Sequence, residues 1–587
     1  MKHLLLITLL AMLNACGSGS TEPSDKADFF VPDDLDSVTG DPFDTNRLMV
    51  VQIQLPENDF KTLADEGRSL ADMYRSCPRE DFEYTDFSAT VSIDGEELED
   101  VTVRKKGFLG SLSVSKPSFK FNFDDGVEGR RFKGLKRMTL NNNRQDATNV
   151  RQCLAYKMYN QAGIKAPRCS LARVYVNGED LGVYTHVESI KKPFLERVFG
   201  NDEGNLYEAQ SADFGTHLNQ RFQLKTNKTE NDRSDLDAVA NALDLADDEN
   251  FLATLDTLVD MDAFYTHWAM DAVLGHWDSA MGNNNNFYIY NNPDNNKFYY
   301  IPWGTDAAFT GGDDEFLANI GPLYHNSRIT KRLFSIETKR AEYYARINEL
   351  LAEPWAEQDI LDYIDDIQTL TDAPDDAVTA LKAFVSGSDP EYAEKLSTNL
   401  DEDLPTRLAS AMANDAADHA DYTLNDVARN CENFEVSTTE ITANFTADEG
   451  QDSGTFSFDL LNGDSVTANI TVIPDDSILY DLNTFGGPTA THAISLVGVD
   501  QAQAFAGVPA DDIDVYVLHI VVDSENFKEG DTDFHGFSTF AFLFKFSAGS
   551  LILMATSADG GITLDNAGDG TNSLLSGSVS GTLGHLK

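Results

Sequence analysis

The order of strand-like and helix-like segments constrains the fold of this chain more than any other feature. Between residue 45 and about 210, strand signals alternate with helix signals, and residues 235–275 and 326–430 have mostly helical spacing. From about residue 434, only short alternating strands between Gly, Asp and Asn turns are recognisable. We therefore predict an α+β fold with a sheet-rich lobe and a helical lobe, followed by a separate all-β domain, a sandwich or a barrel.

These patterns divide the chain into four predicted parts. The two folded domains are expected at residues 45–433 and 434–587. Within the first, strands are predicted at 48–55, 89–93, 101–106 and 118–123, and helices at 57–66 and 148–161. The dipeptide Asn177-Gly178 between two alternating runs is typical of a β-hairpin turn.

The first residues, MKHLLLITLLAMLNAC, have the pattern of a bacterial export signal. Lys2 precedes an apolar run, Leu4–Leu13, that is too short to span a bilayer stably. The residues Leu13-Asn14-Ala15-Cys16 resemble a lipobox, which implies cleavage before Cys16 and lipidation of that residue. We therefore expect a lipoprotein signal peptide at 1–15 and a flexible acidic tether at 16–44. The chain is then extracytoplasmic and lipid-anchored in the cell envelope, at the outer membrane or the cell surface.

The strongly negative charge of the chain disfavours anionic partners. It also makes the few clusters of cations informative. With 44 Lys and Arg against 97 Asp and Glu, the formal net charge is −53. Such a surface repels nucleic acid and anionic headgroups, so we expect no nucleic-acid partner. Against this background, VTVRKKGFLGS (101–111) and KPSFKFNF (116–123) carry several cations each. They predict an anionic ligand, unless they form a solvated edge strand.

The cysteines other than Cys16 fit structural bridges better than a metal site. Cys77, Cys153, Cys169 and Cys431 have no zinc-binding spacing. In an exported protein, four cysteines can form two disulfides with three connectivities, or remain as buried thiols.

The stretch HWDSAMGNNNNFYIYNNPDNNKFYYIPWGTD (276–306) holds the candidate chemistry. His276, Asp278 and Asn283 have the spacing H-x-D-x-x-x-x-N, and Asp306 ends a predicted hairpin further on. Phosphoryl transfer needs a carboxylate near the attacking oxygen and oxygen ligands for a divalent cation. The alternative is that Asn283–Asn286 are turn and cap residues.

The order of these motifs resembles that of the CotH kinase family, known from a spore coat protein. The segments that carry the resemblance are VTVRKKGFLGS, KPSFKFNF, 132–168, ARVYVNGEDLGVYTHVESIKKPFL (172–195), GNLYEA (204–209) and 283–309. The resemblance implies a divergent protein-kinase-like fold, ATP and Mg²⁺ or Mn²⁺ as cofactors, and a protein phosphoacceptor modified on Ser or Thr.

By motif match, the resemblance also implies roles for individual residues. Asp278 is expected as the catalytic acid–base residue. Asp306 and either Asn283 or Asn284 are expected as metal ligands.

A second group is expected at the nucleotide. Lys116 would contact the phosphates with help from Arg104 and Lys106, and Glu188 would lie near the nucleotide. The backbone of residues 187–190 would face adenine.

Two departures from the family pattern leave a second function open. Gly304 stands where the family usually has the first Asp of I-P-W-D-x-D, and Gln152 follows Arg151 where R-E is common. The first hypothesis is a surface kinase that acts on secreted or surface proteins. The alternative is a catalytically degraded lipoprotein scaffold whose β domain binds a carbohydrate or a protein. An acidic calcium-binding adhesin is a third hypothesis, but the Asp-rich segment 372–378 lacks a regular calcium loop.

Overall fold

A computed structural model describes most of the chain. The described residues are 29–30, 40–67, 83–107, 111–215, 218–310, 323–387, 404–415, 438–448, 451–459, 465–474, 491–499, 503, 505, 514–523, 527–534, 539–547, 550–568 and 574–585. The predicted signal peptide, Cys16, Cys77 and Cys431 lie outside these residues. Within the part of the chain so described, no helix is both long and apolar enough to cross a membrane.

The first seven strands close into a barrel. They are β1 (Leu48–Gln54), β2 (Phe87–Ile93), β3 (Glu96–Lys106), β4 (Ser118–Asn122), β5 (Arg137–Asn141), β6 (Cys169–Val176) and β7 (Glu179–Val187). Their order is β1-β2-β3-β4-β5-β7-β6, and a parallel pairing of β1 with β6 closes the circle. The predicted strands and the hairpin at Asn177-Gly178 are present, since the turn connects β6 and β7.

The alternation within β3 and β4 separates the barrel core from a polar outer face. Val101 and Val103 of β3 and Phe119 and Phe121 of β4 are buried in the barrel. Because successive side chains of a strand point to opposite faces, the residues between them lie on the other face. That face carries Arg104, Lys106 and Lys120.

Helix α2 (Arg151–Gln161) follows β5 and joins the barrel to the rest of the first domain; helix α1 (Glu57–Asp65) follows β1. The carboxylate of Asp146 accepts hydrogen bonds from the backbone N–H of Arg151 (2.8 Å), the first residue of α2, and of Thr148 (3.1 Å), so it fixes the turn before the helix. A disulfide joins Cys153 of α2 to Cys169 of β6. Of the three predicted connectivities, one contains this bridge.

A four-stranded sheet lies after the barrel in the sequence. Its strands are β8 (Leu206–Ala209), β9 (Gln223–Leu224), β10 (Phe287–Asn292) and β11 (Lys297–Pro302), in the order β11-β10-β8-β9. Between β7 and β8 runs helix α3 (Lys192–Phe199). The predicted hairpin before Asp306 is the antiparallel pair β10–β11.

Helices form the rest of the first domain. They are α4 (Ser234–Leu243), α5 (Asp248–Leu258), α6 (Met261–Val273), α7 (Arg328–Ser335), α8 (Glu337–Ala352), α9 (Glu357–Thr371), α10 (Asp375–Val385) and α11 (Leu404–Asp415). Residues 235–275 are three helices because Asp247 and Asp260 act as N-caps: their carboxylates accept from Asn250 N and Ala263 N. Trp268 stacks on Tyr343 at 3.8 Å between ring centroids, which joins α6 to α8.

The C-terminal strands form a second barrel. They are β12 (Thr438–Asp448), β13 (Gln451–Asp459), β14 (Ser465–Pro474), β15 (Thr491–Val499), β16 (Val515–Asp523), β17 (Gly530–Asp533), β18 (Thr539–Ser547), β19 (Ser550–Ala567) and β20 (Leu575–His585). Strand β20 pairs with both β12 and β19, so eight antiparallel strands close a circle and β17 pairs at the edge with β19. The predicted α+β fold with a separate all-β region is confirmed, and the all-β region is a barrel.

Candidate active site

The outer face of the first barrel meets the four-stranded sheet at Lys106 and Trp303. Lys106 at the end of β3 places its ammonium group 5.7 Å from the ring centroid of Trp303, directly after β11. Trp303 packs edge-on against Tyr288 of β10, whose hydroxyl donates to Glu208 of β8 at 2.8 Å. Hereafter, "the cleft" means the space bordered by the cationic face of β3 and β4 and by these residues of the sheet.

Lys106 is the barrel cation that lies over the ring of Trp303. Burial lowers the pKa of its ammonium group to about 8, while the charges of Asp306 and Glu208 act in the opposite direction. Lys106 Nζ donates to Asn141 Oδ1, and Asn141 Nδ2 donates to Gln152 Oε1 at 2.6 Å. Gln152 therefore reaches Lys106 through a neutral amide, in place of the ion pair that the family pattern implies.

Asp278 is surrounded by the side chains of the asparagine run. Asn283 Nδ2 donates to Asp278 Oδ1 at 2.7 Å, Asn285 Nδ2 donates to the same oxygen at 3.0 Å, and Asn286 Nδ2 donates to Oδ2. Burial nevertheless raises the pKa of Asp278, because it disfavours the charged form more than these hydrogen bonds favour it. A carboxylate in this environment is oriented and has an increased affinity for a proton.

The run of asparagines also has a backbone reason. Asn284 and Asn286 have φ angles of 60° and 49°. Asparagine tolerates this left-handed conformation better than most residues other than glycine. The turn interpretation therefore fits Asn284 and Asn286, of which Asn286 also donates to Asp278, and the metal-ligand interpretation stays a prediction.

Three amide oxygens of the run could hold a cation. Asn283 Oδ1, Asn284 Oδ1 and Asn285 Oδ1 are buried and accept no hydrogen bond. Buried polar oxygens normally have a partner, and amide and carboxylate oxygens are the ligands that Mg²⁺ and Mn²⁺ prefer. No group of three or more His, Cys, Asp or Glu residues suited to a metal occurs among the described residues, so a site here combines amides with carboxylates.

Asp306 lies in the short 3₁₀ turn Thr305–Ala307 that follows β11. Burial raises the pKa of its carboxyl group to about 6, the charges of Asp278 and Asp146 add to the rise, and Lys106 opposes it. The turn is attached to α2, since Thr305 Oγ1 donates to Gln152 O at 3.3 Å. Asp306, Asp278 and Lys106 are thus electrostatic neighbours in the cleft.

The glycine at position 304 has a structural cause. Gly304 has a φ of 54°, and a Cβ at this position would lie 2.8 Å from Asn286 Cγ. Asn286, which donates to Asp278, therefore occupies the space that a side chain at position 304 needs. An Asp cannot be accommodated here unless Asn286 moves.

A buried polar cluster lies next to the loop that holds Asp278. Tyr159 OH donates to Asp271 Oδ1, and the backbone N–H of His276 donates to Asp271 O at 2.9 Å. Burial lowers the pKa values of His267 and His276 to about 3, so both imidazoles are neutral at pH 7. His276 is thus a buried, neutral packing residue beside this loop.

Two of the predicted nucleotide residues point elsewhere. Lys116 Nζ donates to Val183 O at 3.0 Å and lies 5.1 Å from the Tyr184 ring centroid, so its ammonium group is used by β7. The carboxylate of Glu188 is held by Arg168 and Arg197. Both side chains thus have partners within the fold, and the roles of Lys116 and Glu188 at the nucleotide stay predictions.

Arg104 and the backbone that was expected to face adenine also have partners within the fold. Arg104 lies on the cleft face, and its Nη1 atom is 3.8 Å from Asp86 Oδ1. The backbone N–H of Glu188 donates to Arg168 O at 2.9 Å, so this donor is not free for adenine.

Several cleft residues were missed in the sequence. Asn141 begins a run of three asparagines, Lys191 follows the hairpin, and Lys225 and Glu208 come from separate parts of the chain. Only Lys120 carried a signal, because it alternates with Phe119 and Phe121 on a predicted strand. The others become neighbours through the packing of the sheet on the barrel.

Comparisons with known proteins agree with the motif order. The family model described as CotH kinase protein matches residues 103–378. Invasin CotH2 of Rhizopus delemar is 24% identical over 181 residues, which are 28% of this chain and 30% of that protein. Inner spore coat protein H of Bacillus subtilis is 25% identical over 206 residues, which are 33% of this chain and 55% of that protein. The alignments thus span about a third to a half of these relatives.

A solved structure of the Helicobacter pylori proinflammatory kinase CtkA matches 51% of this chain and 95% of that chain, with 11% identity and a TM-score of 0.22. The family model covers the segments that hold Lys106, Asp278 and Asp306. Through residues 103–378, just under half of its length, this chain is similar to the CotH kinase family.

Proposed function

We propose that this kinase-like protein transfers the γ-phosphoryl group of ATP to a Ser or Thr hydroxyl of a surface or secreted protein. The observation that carries the proposal is the convergence of Lys106, Asp278, Asp306 and the unpaired asparagine oxygens in one cleft. Lys106 replaces Lys116 as the residue that binds phosphate.

The residues have distinct tasks in this reaction. Asp306, Asn283 and Asn284 would hold Mg²⁺ or Mn²⁺, and the bound cation supplies neutralisation of phosphate charge. Lys106, protonated below its pKa of about 8, binds a phosphate oxygen. The attacking hydroxyl oxygen forms a bond to the γ-phosphorus as the bond to the leaving oxygen breaks, and Asp278 accepts the hydroxyl proton.

The location of the protein is part of the same proposal. We infer from the export signal and the lipobox that Cys16 carries the lipid and that residues 16–44 separate the membrane from the folded part. The substrate would then be a protein exposed outside the cytoplasm.

The first test is nucleotide binding by the full-length chain. ATP with Mg²⁺ or Mn²⁺ should raise the thermal midpoint by several degrees, since a ligand that binds only the folded state stabilises it. Asp306→Asn should abolish the metal-dependent part of this rise, whereas Asp294→Asn on the exposed β10–β11 turn is the matched control.

Catalysis is tested separately with Asp278→Asn. This variant should still bind ATP and metal but should lose at least about 100-fold in phosphorylation rate, because it lacks the proton acceptor. Wild-type rates in Asp278→Asn would contradict the assigned role.

The second candidate function is a binding scaffold, and Gly304 is the observation that favours it. The residue removes one of the two carboxylates of the family pattern. If neither Mg²⁺ nor Mn²⁺ with ATP changes the midpoint, this function is supported, and the C-terminal barrel is the part to test for a carbohydrate or protein ligand.

A further inference from the structure

The segment before the first barrel contains aromatic residues that contact the barrel. Residues 17–44 are rich in Ser, Gly, Pro and Asp, and the only aromatic residues in this stretch of the sequence are Phe29, Phe30 and Phe43. A segment that only spans a distance has no need of aromatic side chains. All three lie among the described residues, and each of them meets the outer surface of the barrel.

The backbone of Phe30 is held by the side chain of Gln52 of β1. Phe30 N donates to Gln52 Oε1 at 3.0 Å, and Gln52 Nε2 donates to Phe30 O at 2.9 Å. One carboxamide thus binds both polar backbone groups of one residue, as the backbone of a neighbouring strand would. Gln52 is 4% exposed, and a buried carboxamide normally has hydrogen-bond partners. Phe30 provides both of these partners.

The side chains of Phe29 and Phe30 lie against β1 and β6. Gln52 and Tyr175 are paired in register on these two parallel strands, so their side chains lie side by side on the outer face. The Phe30 ring packs edge-on against Tyr175, with 4.9 Å between the ring centroids. Beside this contact is a cavity of about 180 Å³, which is lined by Phe29, Phe30, Gln52, Ile53, Gln54 and Gly178. The outer face of β1 and β6 thus forms a groove that accepts the pair Phe29–Phe30.

A second contact is made farther along the segment, at Pro42 and Phe43. Phe43 is buried, stacks on the His186 ring with 4.6 Å between centroids, and has the Arg168 guanidinium 4.3 Å from its own centroid. Ser170 Oγ donates to Pro42 O at 2.9 Å. The segment is therefore attached to the barrel at two places. Since Phe30 is 46% exposed, its contact is the one that can open without disturbing a core.

We propose that Phe29–Phe30 is a docking motif that binds the N-terminal segment to the groove on β1 and β6 and thereby sets how far the cleft reaches from Cys16. With Phe30 bound, the chain from Cys16 to the barrel is 14 residues long, and with Phe30 released it is 26 residues long, as far as Pro42. At roughly 3.5 Å per extended residue, the corresponding limits are ~50 Å and ~90 Å.

The bound state of the docking motif restricts the kinase-like part to phosphoacceptors close to the membrane surface. This effect on the substrate rests on the proposed function and on the lipid proposed at Cys16. The contact between Phe30 and Gln52 itself requires neither lipid nor nucleotide.

Hydrogen exchange at the Phe30 amide of the full-length chain tests the contact. Gln52→Ala removes both hydrogen-bond partners of Phe30, so exchange should become at least about tenfold faster, which is roughly what two hydrogen bonds are worth. Gln161→Ala deletes a carboxamide at the exposed end of α2 and should leave exchange at the wild-type rate. A wild-type amide that exchanges like an unfolded peptide, or equal rates in the wild type and Gln52→Ala, overturns the proposal.

A second variant, Phe30→Ala, tests the same contact without changing any residue of the barrel. It removes the ring that packs on Tyr175, so the amide of residue 30 should lose protection relative to its intrinsic exchange rate. The thermal midpoint should stay at the wild-type value, because the barrel is intact. Faster exchange in Gln52→Ala together with wild-type protection in Phe30→Ala would assign the first result to a disturbance of β1 and overturn the proposal.

Neutron reflectometry of the lipidated chain on a supported bilayer tests the reach. Phe30→Ala should widen the gap between bilayer and protein by about 7 Å, since the root-mean-square length of a flexible linker rises from ~21 Å for 14 residues to ~28 Å for 26 residues. An unchanged gap overturns the role in reach.

The two measurements separate this inference from the proposed function. Neither of them uses ATP or a metal, so both remain decisive if the chain has no kinase activity. A chain that does not attach to the bilayer through Cys16 would disprove the proposed location and with it the role in reach, while hydrogen exchange still decides the contact.

Discussion

The asparagine run shows how a single residue type meets two demands at one place. The backbone at Asn284 and Asn286 is left-handed, and the side-chain amides at 283, 285 and 286 donate to Asp278. Aspartate in the run would place more negative charge beside Asp278 and would lack the amide donors. The side-chain oxygens of Asn283, Asn284 and Asn285 accept no hydrogen bond and could hold the proposed cation. Asparagine thus supplies donors and acceptors without adding to the charge of the site.

At the residue scale, the residue at position 152 influences the pKa of Lys106 through Asn141. Gln152→Glu would bring a carboxylate to the far side of Asn141 and should raise the pKa of Lys106 from about 8 by about one unit, because an opposite charge favours the protonated amine. The pKa is measured by acylation of Lys106 as a function of pH, followed by mass spectrometry. Because the pKa rises, the acylation curve should move to higher pH.

Gln161→Glu provides the matched control for this experiment. It makes the same chemical change at the exposed opposite end of α2, so the acylation curve of Lys106 should keep its wild-type position. A Gln152→Glu curve that coincides with the wild type would mean that Asn141 isolates Lys106 from residue 152.

At the element scale, α2 connects three parts of the site. Asp146 accepts from the N–H of its first residue, Gln152 contacts Asn141, and the backbone of Gln152 accepts from Thr305 beside Asp306. A displacement of α2 would therefore affect both Lys106 and Asp306. The disulfide between Cys153 and Cys169 restrains the same end of the helix.

Reduction of this disulfide should destabilise the first domain. The two cysteines are 16 residues apart, and closing a loop of about this length contributes about 3 kcal/mol in the chain-entropy model. We expect the free energy of unfolding by urea to fall by ~2–3 kcal/mol when a reductant is added. The Cys153→Ala/Cys169→Ala variant should start from the lower value and should show no such fall, and an equal fall in this variant would assign the effect to other cysteines.

At the scale of the whole molecule, the described residues have separate apolar cores before and after the segment 416–437. The core of the C-terminal barrel is built from residues between Ile441 and Leu583, whereas the other described cores use residues up to Met412. Separate cores in one chain usually unfold in separate transitions.

We therefore expect two transitions in differential scanning calorimetry of the full-length chain. A chain that ends at residue 437 should lose one transition and keep the response of the other to MgATP, because every residue proposed for nucleotide binding precedes it. A single transition in the full-length chain, together with loss of the MgATP response on truncation, would show that the barrel supports the kinase-like part.

The sequence by itself determined the fold class, the resemblance to a family and the loop that holds Asp278, because these depend on periodicity and on spacing between neighbours along the chain. The tertiary structure decided which cations face the cleft. Alternation predicts the face of a strand but not what packs on it, so Lys116 was expected at phosphate although Val183 engages it, and Lys191, Lys225 and Glu208 were missed. Closure of the C-terminal strands into a barrel likewise depends on the pairing of β12 with β20, whose residues are far apart in sequence.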